Sequence, residues 1–167
     1  MTVCENNIYI ECPQNVKNQL LYILENNTLF FQAFIPCNNE SKLEYYGTES
    51  DVYIENILIE DSDILYLTVY TYDNPCIPFC NKLAQLYNLN IQNVYYNSEL
   101  DFSGKWQINC NQIIFNEGWN YIQGLYYTNL DLFWETVKES DLDDLCELTG
   151  HDLIQEFLMR KMDNMSF

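Results

Sequence analysis

Basic side chains are scarce in this chain: seven Lys and Arg stand against 25 Asp and Glu, a net charge of −18 over 167 residues. A field of that sign repels nucleic acid and anionic membrane and attracts basic surfaces, so direct binding to either polyanion is not expected. Histidine is rarer still. His151 is the sole imidazole, and a Cys-His or Ser-His enzyme would have to be built around it. Its place after Gly150, where a last helix is predicted to start, suits a surface or capping residue better than a base. Glycine is sparse too. A phosphate loop needs several glycines and a lysine before a helix, so that backbone N–H groups converge on the anion. The stretch EYYGTESD at 44–51 offers one glycine, no lysine, and acids that repel phosphate. Gly47 is therefore expected to make a turn, with the Thr48 hydroxyl tying it. No stretch approaches ~18 uninterrupted apolar residues, and the opening MTVCENNIYIECP has neither the basic region nor the apolar run of a signal peptide. The expected location is the cytoplasm of a host cell.

What the chain does contain is aromatic. Fourteen Tyr, nine Phe and three Trp within 48% hydrophobic content can bury a substantial core, the opposite of a disordered composition. Seven cysteines, at 4, 12, 37, 76, 80, 110 and 146, form no even framework of a secreted domain and are expected to be mostly reduced and buried. Cys76 and Cys80 frame CIPFC, a C-x3-C spacing, but a structural zinc site needs four ligands and no second pair exists. Two cysteines at i and i+4 near a helix start are expected to pack inward as small apolar residues. Neither ESDVYIE nor DLDDLCE has the alternating grammar of a calcium loop. With 25 acids, carboxylate pairs arise by chance. No cofactor, metal site or catalytic residue is expected, and the chain does not read as an enzyme.

The alternation of NNIYIEC predicts a strand, and Pro13 opens a helix with Val16, Leu20, Ile23 and Leu24 on one stripe. Residues 28–56 lack clear periodicity and form an inserted excursion carrying the Gly-Thr element. ILIEDSDILYLTVYTY predicts a hairpin closing at Asp61–Asp63, Phe79 to Tyr87 a second helix ending near Asn88, and LNIQNVYY a further strand. This order, βαββαβ, predicts a ferredoxin-like α+β fold with an antiparallel sheet and two helices on one face. An extra hairpin is predicted about Cys110 and Asn111, and YIQGLYY reads as another short strand. Asp131–Glu139 is predicted helical. Ser140 is an expected N-cap before Asp141, Asp143 and Asp144, acids that suit a helix's first turn, and a last helix carries Leu153, Ile154, Phe157, Leu158 and Met162 along one side. The expected division is a domain at 1–128 and an acidic helical extension at 129–167 packed on it.

Ordered short motifs add a family. Phe34-Ile35-Pro36-Cys37, Tyr46-Gly47-Thr48 with Asp51, Thr71 with Pro75, Tyr95-Tyr96, and Asp101-Phe102-Ser103-Gly104 follow one another as in the YubB-type domain of phages and conjugative plasmids, which the chain resembles over residues 5–116. Tyr46, Glu49, Ser50, Asp73 and Cys76 depart from the family's Trp, Lys, Trp, Trp and Pro. The resemblance implies the ferredoxin-like fold and a mobile-element setting, and supplies no catalytic residue.

Acidity supplies the mode of action. Eight acids lie between Glu40 and Asp63 against Lys42, and nine between Asp131 and Glu156 against Lys138. The expected function is that of an anti-defence inhibitor: by nucleic-acid mimicry it binds a basic, nucleic-acid-binding host protein, such as a CRISPR or restriction component. Glu49, Asp51, Glu55, Asp141, Asp143, Asp144 and Glu147 are the expected partner-binding residues. The alternative is a small-ligand binder or minor enzyme whose pocket lies near the Gly-Thr segment, walled by Tyr45, Tyr46 and Asp51. Tyr66, Tyr70, Tyr72, Tyr95 and Tyr96 could stack on bases, but the basic residues that accompany such aromatics in RNA-binding sheets are missing around them, and core or ladder packing is expected instead.

Overall fold

The computed structural model describes residues 2–26, 29–37, 41–52, 54–61 and 64–137, with the backbone alone for 54–61. The chain divides into two compact units, Met1–Tyr121 and Ile122–Phe167. The first is an α+β unit built on an open antiparallel sheet. Its strands are β1 (Val3–Glu11), β2 (Ile54–Asp61), β3 (Ile64–Tyr72), β4 (Asn90–Asn97), β5 (Phe102–Asn109) and β6 (Gln112–Trp119). They lie in the order β2-β3-β1-β4-β5-β6, every neighbour antiparallel. This departs from a four-stranded ferredoxin-like sheet, because the extra hairpin continues the same sheet beyond β4.

The helices of this unit are α1 (Gln14–Asn26), α2 (Phe30–Phe34), α3 (Lys42–Tyr46) and α4 (Ile77–Tyr87). The two-residue period of a strand decides which side chains meet them. In β1, Cys4, Asn6, Ile8 and Ile10 are buried while Glu5, Asn7 and Tyr9 between them are half-exposed. Ile8 and Ile10 join Leu65, Leu67, Val69, Ile91, Trp106 and Ile108 in one core with Leu20 of α1 and Phe79, Cys80, Leu83 and Ala84 of α4. The excursion after α1 contributes its aromatics to that core: Phe31 lies 4.4 Å from Phe79 and 5.1 Å from Tyr46 between ring centroids. Tilted and edge-on contacts of this kind add to the area that rings bury. Asn88 ends α4 in the left-handed region, and Leu89 N–H closes the turn onto the Ala84 carbonyl at 3.0 Å.

YIQGLYY is not a strand. It forms helix α5 (Tyr121–Thr128), followed by α6 (Leu130–Thr136). Gly124 and Leu125 are buried, and Thr128 Oγ1 donates to the Gly124 carbonyl four residues back at 2.5 Å. The tyrosines favour strands by propensity, but packing and burial override so weak a preference. Asn129 caps α6, its Oδ1 accepting from Leu132 N–H at 3.2 Å. The predicted last helix, Ser140 and the apolar stripe from Leu153 to Met162 lie outside the described residues. Among the described residues no helix is long and apolar enough to cross a membrane.

Candidate functional site

Gly47 ends α3 with φ +88°, and its N–H donates to the Leu43 carbonyl at 2.9 Å. A Cβ there would lie 2.5 Å from the Pro75 carbonyl oxygen and 2.8 Å from Pro78 Cδ, so the glycine is required both by its backbone angle and by the close approach of α4's leading turn. The two resemblance motifs, Tyr-Gly-Thr and Thr-x-x-x-Pro, thus meet in space. The expected tie by Thr48 is absent: its hydroxyl is buried and has no hydrogen-bond partner among the described residues, and the same holds for Ser50 Oγ.

Tyr46 and Asp51 are structural rather than walls of a pocket. Tyr46 is fully buried and donates its hydroxyl proton to the Ile35 carbonyl at 2.6 Å. Burial, then the neighbouring Cys37 and Asp51, raise its phenol above the ordinary range. Leu29 precedes α2 and cannot cap it, so Asp51 does so from a distance: Oδ1 accepts from Phe31 N–H, Oδ2 from Gln32 N–H, and Oδ1 again from Val52 N–H, each at 2.8 Å. The carboxylate predicted to face a partner instead fastens the inserted segment. Tyr45 is half-buried beneath the Lys82 ammonium.

Beneath this segment a polar group sits inside the core. Asn6 is fully buried; its Nδ2 donates to the Cys4 carbonyl at 3.1 Å and to Thr71 Oγ1 at 3.0 Å. Its Oδ1 accepts from Cys76 N–H and from Asn93 Nδ2, both at 3.0 Å. Burial pushes the Cys4 thiol up to about 12 and raises Cys76 well above its usual value, the latter with help from the adjacent Cys80 thiol. Thiolates are the nucleophiles and metal ligands, and these groups are held as thiols. The described residues hold no group of three or more His, Cys, Asp and Glu placed to bind a metal ion. Alkylation of the native chain at pH 8 should therefore modify exposed Cys110 long before Cys4, Cys76 or Cys80. Peptide mapping after a timed iodoacetamide pulse checks this, and early label on Cys76 would contradict it.

The sheet face opposite α1 and α4 follows from the register. One row across the strands reads Tyr66, Tyr9, Gln92, Gln107, Phe115, and the next reads Ile64, Glu11, Asn90. Tyr9 and Tyr66 rings lie 4.8 Å apart, Tyr66 donates to Asn7 Oδ1 at 2.5 Å, and Lys105 Nζ sits 5.3 Å from the Phe115 ring centroid. By strand alternation Tyr70, Tyr72 and Tyr96 share this face. Tyr95 does not: it points to the helix side, where its phenol covers Gly104, at which a Cβ would overlap it. Between the two rows lies a recess of about 370 Å³ lined by Tyr9, Glu11, Ile64, Asn90, Gln92 and Gln107 among others. Nothing in the sequence signals it, since its residues come from four strands and only the register joins them.

Comparison with protein-family models, curated proteins and solved structures finds no match.

Of the predicted partner-binding acids, Glu49 is exposed and Asp51 is occupied with α2. Glu55 lies in β2, where its side chain is outside the description, and Asp141, Asp143, Asp144 and Glu147 lie outside the described residues. Of the four described lysines, Lys42 is exposed and the other three lie against the chain itself. Lys17 is 2% exposed, with Nζ donating to the Ile64 carbonyl at 3.3 Å, and Lys82 Nζ lies 3.1 Å from the Tyr45 ring centroid. Glu11, Glu25, Glu44, Glu49 and Glu99 are exposed.

Proposed function

We propose that this chain is a binding protein, not an enzyme, that presents carboxylates to the basic groove of a nucleic-acid-binding host protein. The observation that carries the reading is the unequal use of charge. Three of the four described lysines, Lys17, Lys82 and Lys105, are turned to the chain's own carbonyl and rings and only Lys42 is exposed, while several carboxylates stand in solvent on a molecule of net charge −18. All seven cations are already counted in the net charge of −18, and a basic partner still meets a strongly attractive field. Duplex DNA presents about one charge per ~1.7 Å of axis, the pattern such a surface would imitate. The resemblance to phage and plasmid proteins supports a setting in which the partner is a defence component. We also read β1 to β4 with α1 and α4 as a ferredoxin-like core enlarged at one edge. What supports this is that β1 lies between β3 and β4 and both helices pack on one face.

The test immobilises the full chain and challenges it with host lysate. A retained basic protein should be released as salt rises past physiological strength, where exposed charges are screened within ~8–10 Å, and should be displaced by duplex DNA. Changing Asp141, Asp143, Asp144 and Glu147 together to their amides should slow association more than it speeds dissociation. A partner held regardless of salt, DNA and these substitutions would overturn the proposal.

A further inference from the structure

We propose that the recess between the rows Tyr9-Gln92-Gln107 and Ile64-Glu11-Asn90 is a receptor for the guanidinium of an arginine side chain. The inference deepens the reading of an acidic surface that meets a basic partner, and rests on it for the source of the arginine. The volume of about 370 Å³ falls within the ~300–1,000 Å³ of ligand pockets and exceeds what one planar side chain needs, leaving room for its stem.

The lining chooses the ligand. Glu11 supplies the carboxylate, and Asn90 Nδ2 donates to its Oε2 at 3.1 Å, which orients the group across the strand pair. The side-chain amides of Gln92 and Gln107, opposite one another on β4 and β5, make no hydrogen bond to a described residue, and a rotation of each amide turns its carbonyl oxygen to the same space. The Tyr9 ring, braced by Tyr66, forms an aromatic wall. A carboxylate, two amide acceptors and a ring face together match a planar cation with five donors. An ammonium is a compact, strongly hydrated point charge with three donors and uses this geometry less well. An anion would meet Glu11 and the field of the whole molecule, and an apolar group would strand the amides.

The experiment titrates the full chain with N-acetyl-arginine amide, following the side-chain amide signals of Gln92 and Gln107 by ¹H–¹⁵N NMR, with the lysine and norleucine amides in parallel. The expected result is saturable shifts, tighter for arginine than for lysine and absent for norleucine. Glu11→Gln should weaken binding about tenfold, as loss of a charge-assisted contact does, and Glu117→Gln on β6 should leave it unchanged. The proposal is overturned if nothing saturates, if lysine matches arginine, or if Glu11→Gln has no more effect than Glu117→Gln, which would mark diffuse attraction. Arginine binding at Glu11 alongside a lysate partner indifferent to salt and DNA would keep this site and remove nucleic-acid mimicry. The converse result would keep mimicry and remove the site.

Discussion

Gly47→Val should unfold at much lower urea concentration than the parent chain, with a loss of about 2–5 kcal/mol. Two costs combine: a β-branched residue forced to φ +88°, and a Cβ driven to 2.5 Å from the Pro75 carbonyl oxygen. The nearest atoms are backbone and a rigid proline ring, so no flexible side chain can give way. Thr48→Val, one residue on, should change stability in the opposite sense, by about +1 kcal/mol, because the hydroxyl is buried without a described partner and valine has nearly the same shape. Paired urea melts separate these outcomes. A Thr48→Val loss as large as that of Gly47→Val would mean that the hydroxyl serves a group that binds there.

The second large effect is expected at Asn6. Asn6→Ala removes the acceptor of the buried Cys76 N–H and of Asn93 Nδ2 and leaves Thr71 and the Cys4 carbonyl without its amide donor. Each orphaned buried group costs about 1–3 kcal/mol, partly relieved by rearrangement, so a total near 3–4 kcal/mol is expected. Asn7→Ala, on the opposite, half-exposed side of the same strand, should cost less than about 1 kcal/mol. Equal effects at the two positions would show that the amide network contributes little.

Local signals in the sequence located most of the elements. Alternation around Ile8 and Ile10, the helical stripe of Val16, Leu20 and Ile23, and the two paired strands flanking the Asp-rich turn all correspond to observed elements, because each depends on neighbours within a few residues. YIQGLYY failed for the same reason, since tyrosine's strand preference is weak and nothing nearby corrected it. Long-range engagement was not legible. Asp51 looked like surface charge, yet its partners Phe31 and Gln32 lie 20 and 19 residues away, and only folding brings a capless helix start to it. The Asn6 network joins four segments, and the Glu11 recess depends on a strand register that no short motif encodes.

β6 forms one outer margin of the sheet, and most of its side chains are exposed, Ile113 and Ile114 among them. A flat apolar margin is a template on which further chains add strand by strand. Here the pairing with β5 slips between Gln107 and Ile108, which inserts a bulge where the two isoleucines stand, and Glu117 places a charge on the regular part that follows. Both devices interrupt templated growth. Smoothing this margin, by deleting Ile114 and neutralising Glu117, would leave the interior untouched and make the molecule a seed for its own fibres.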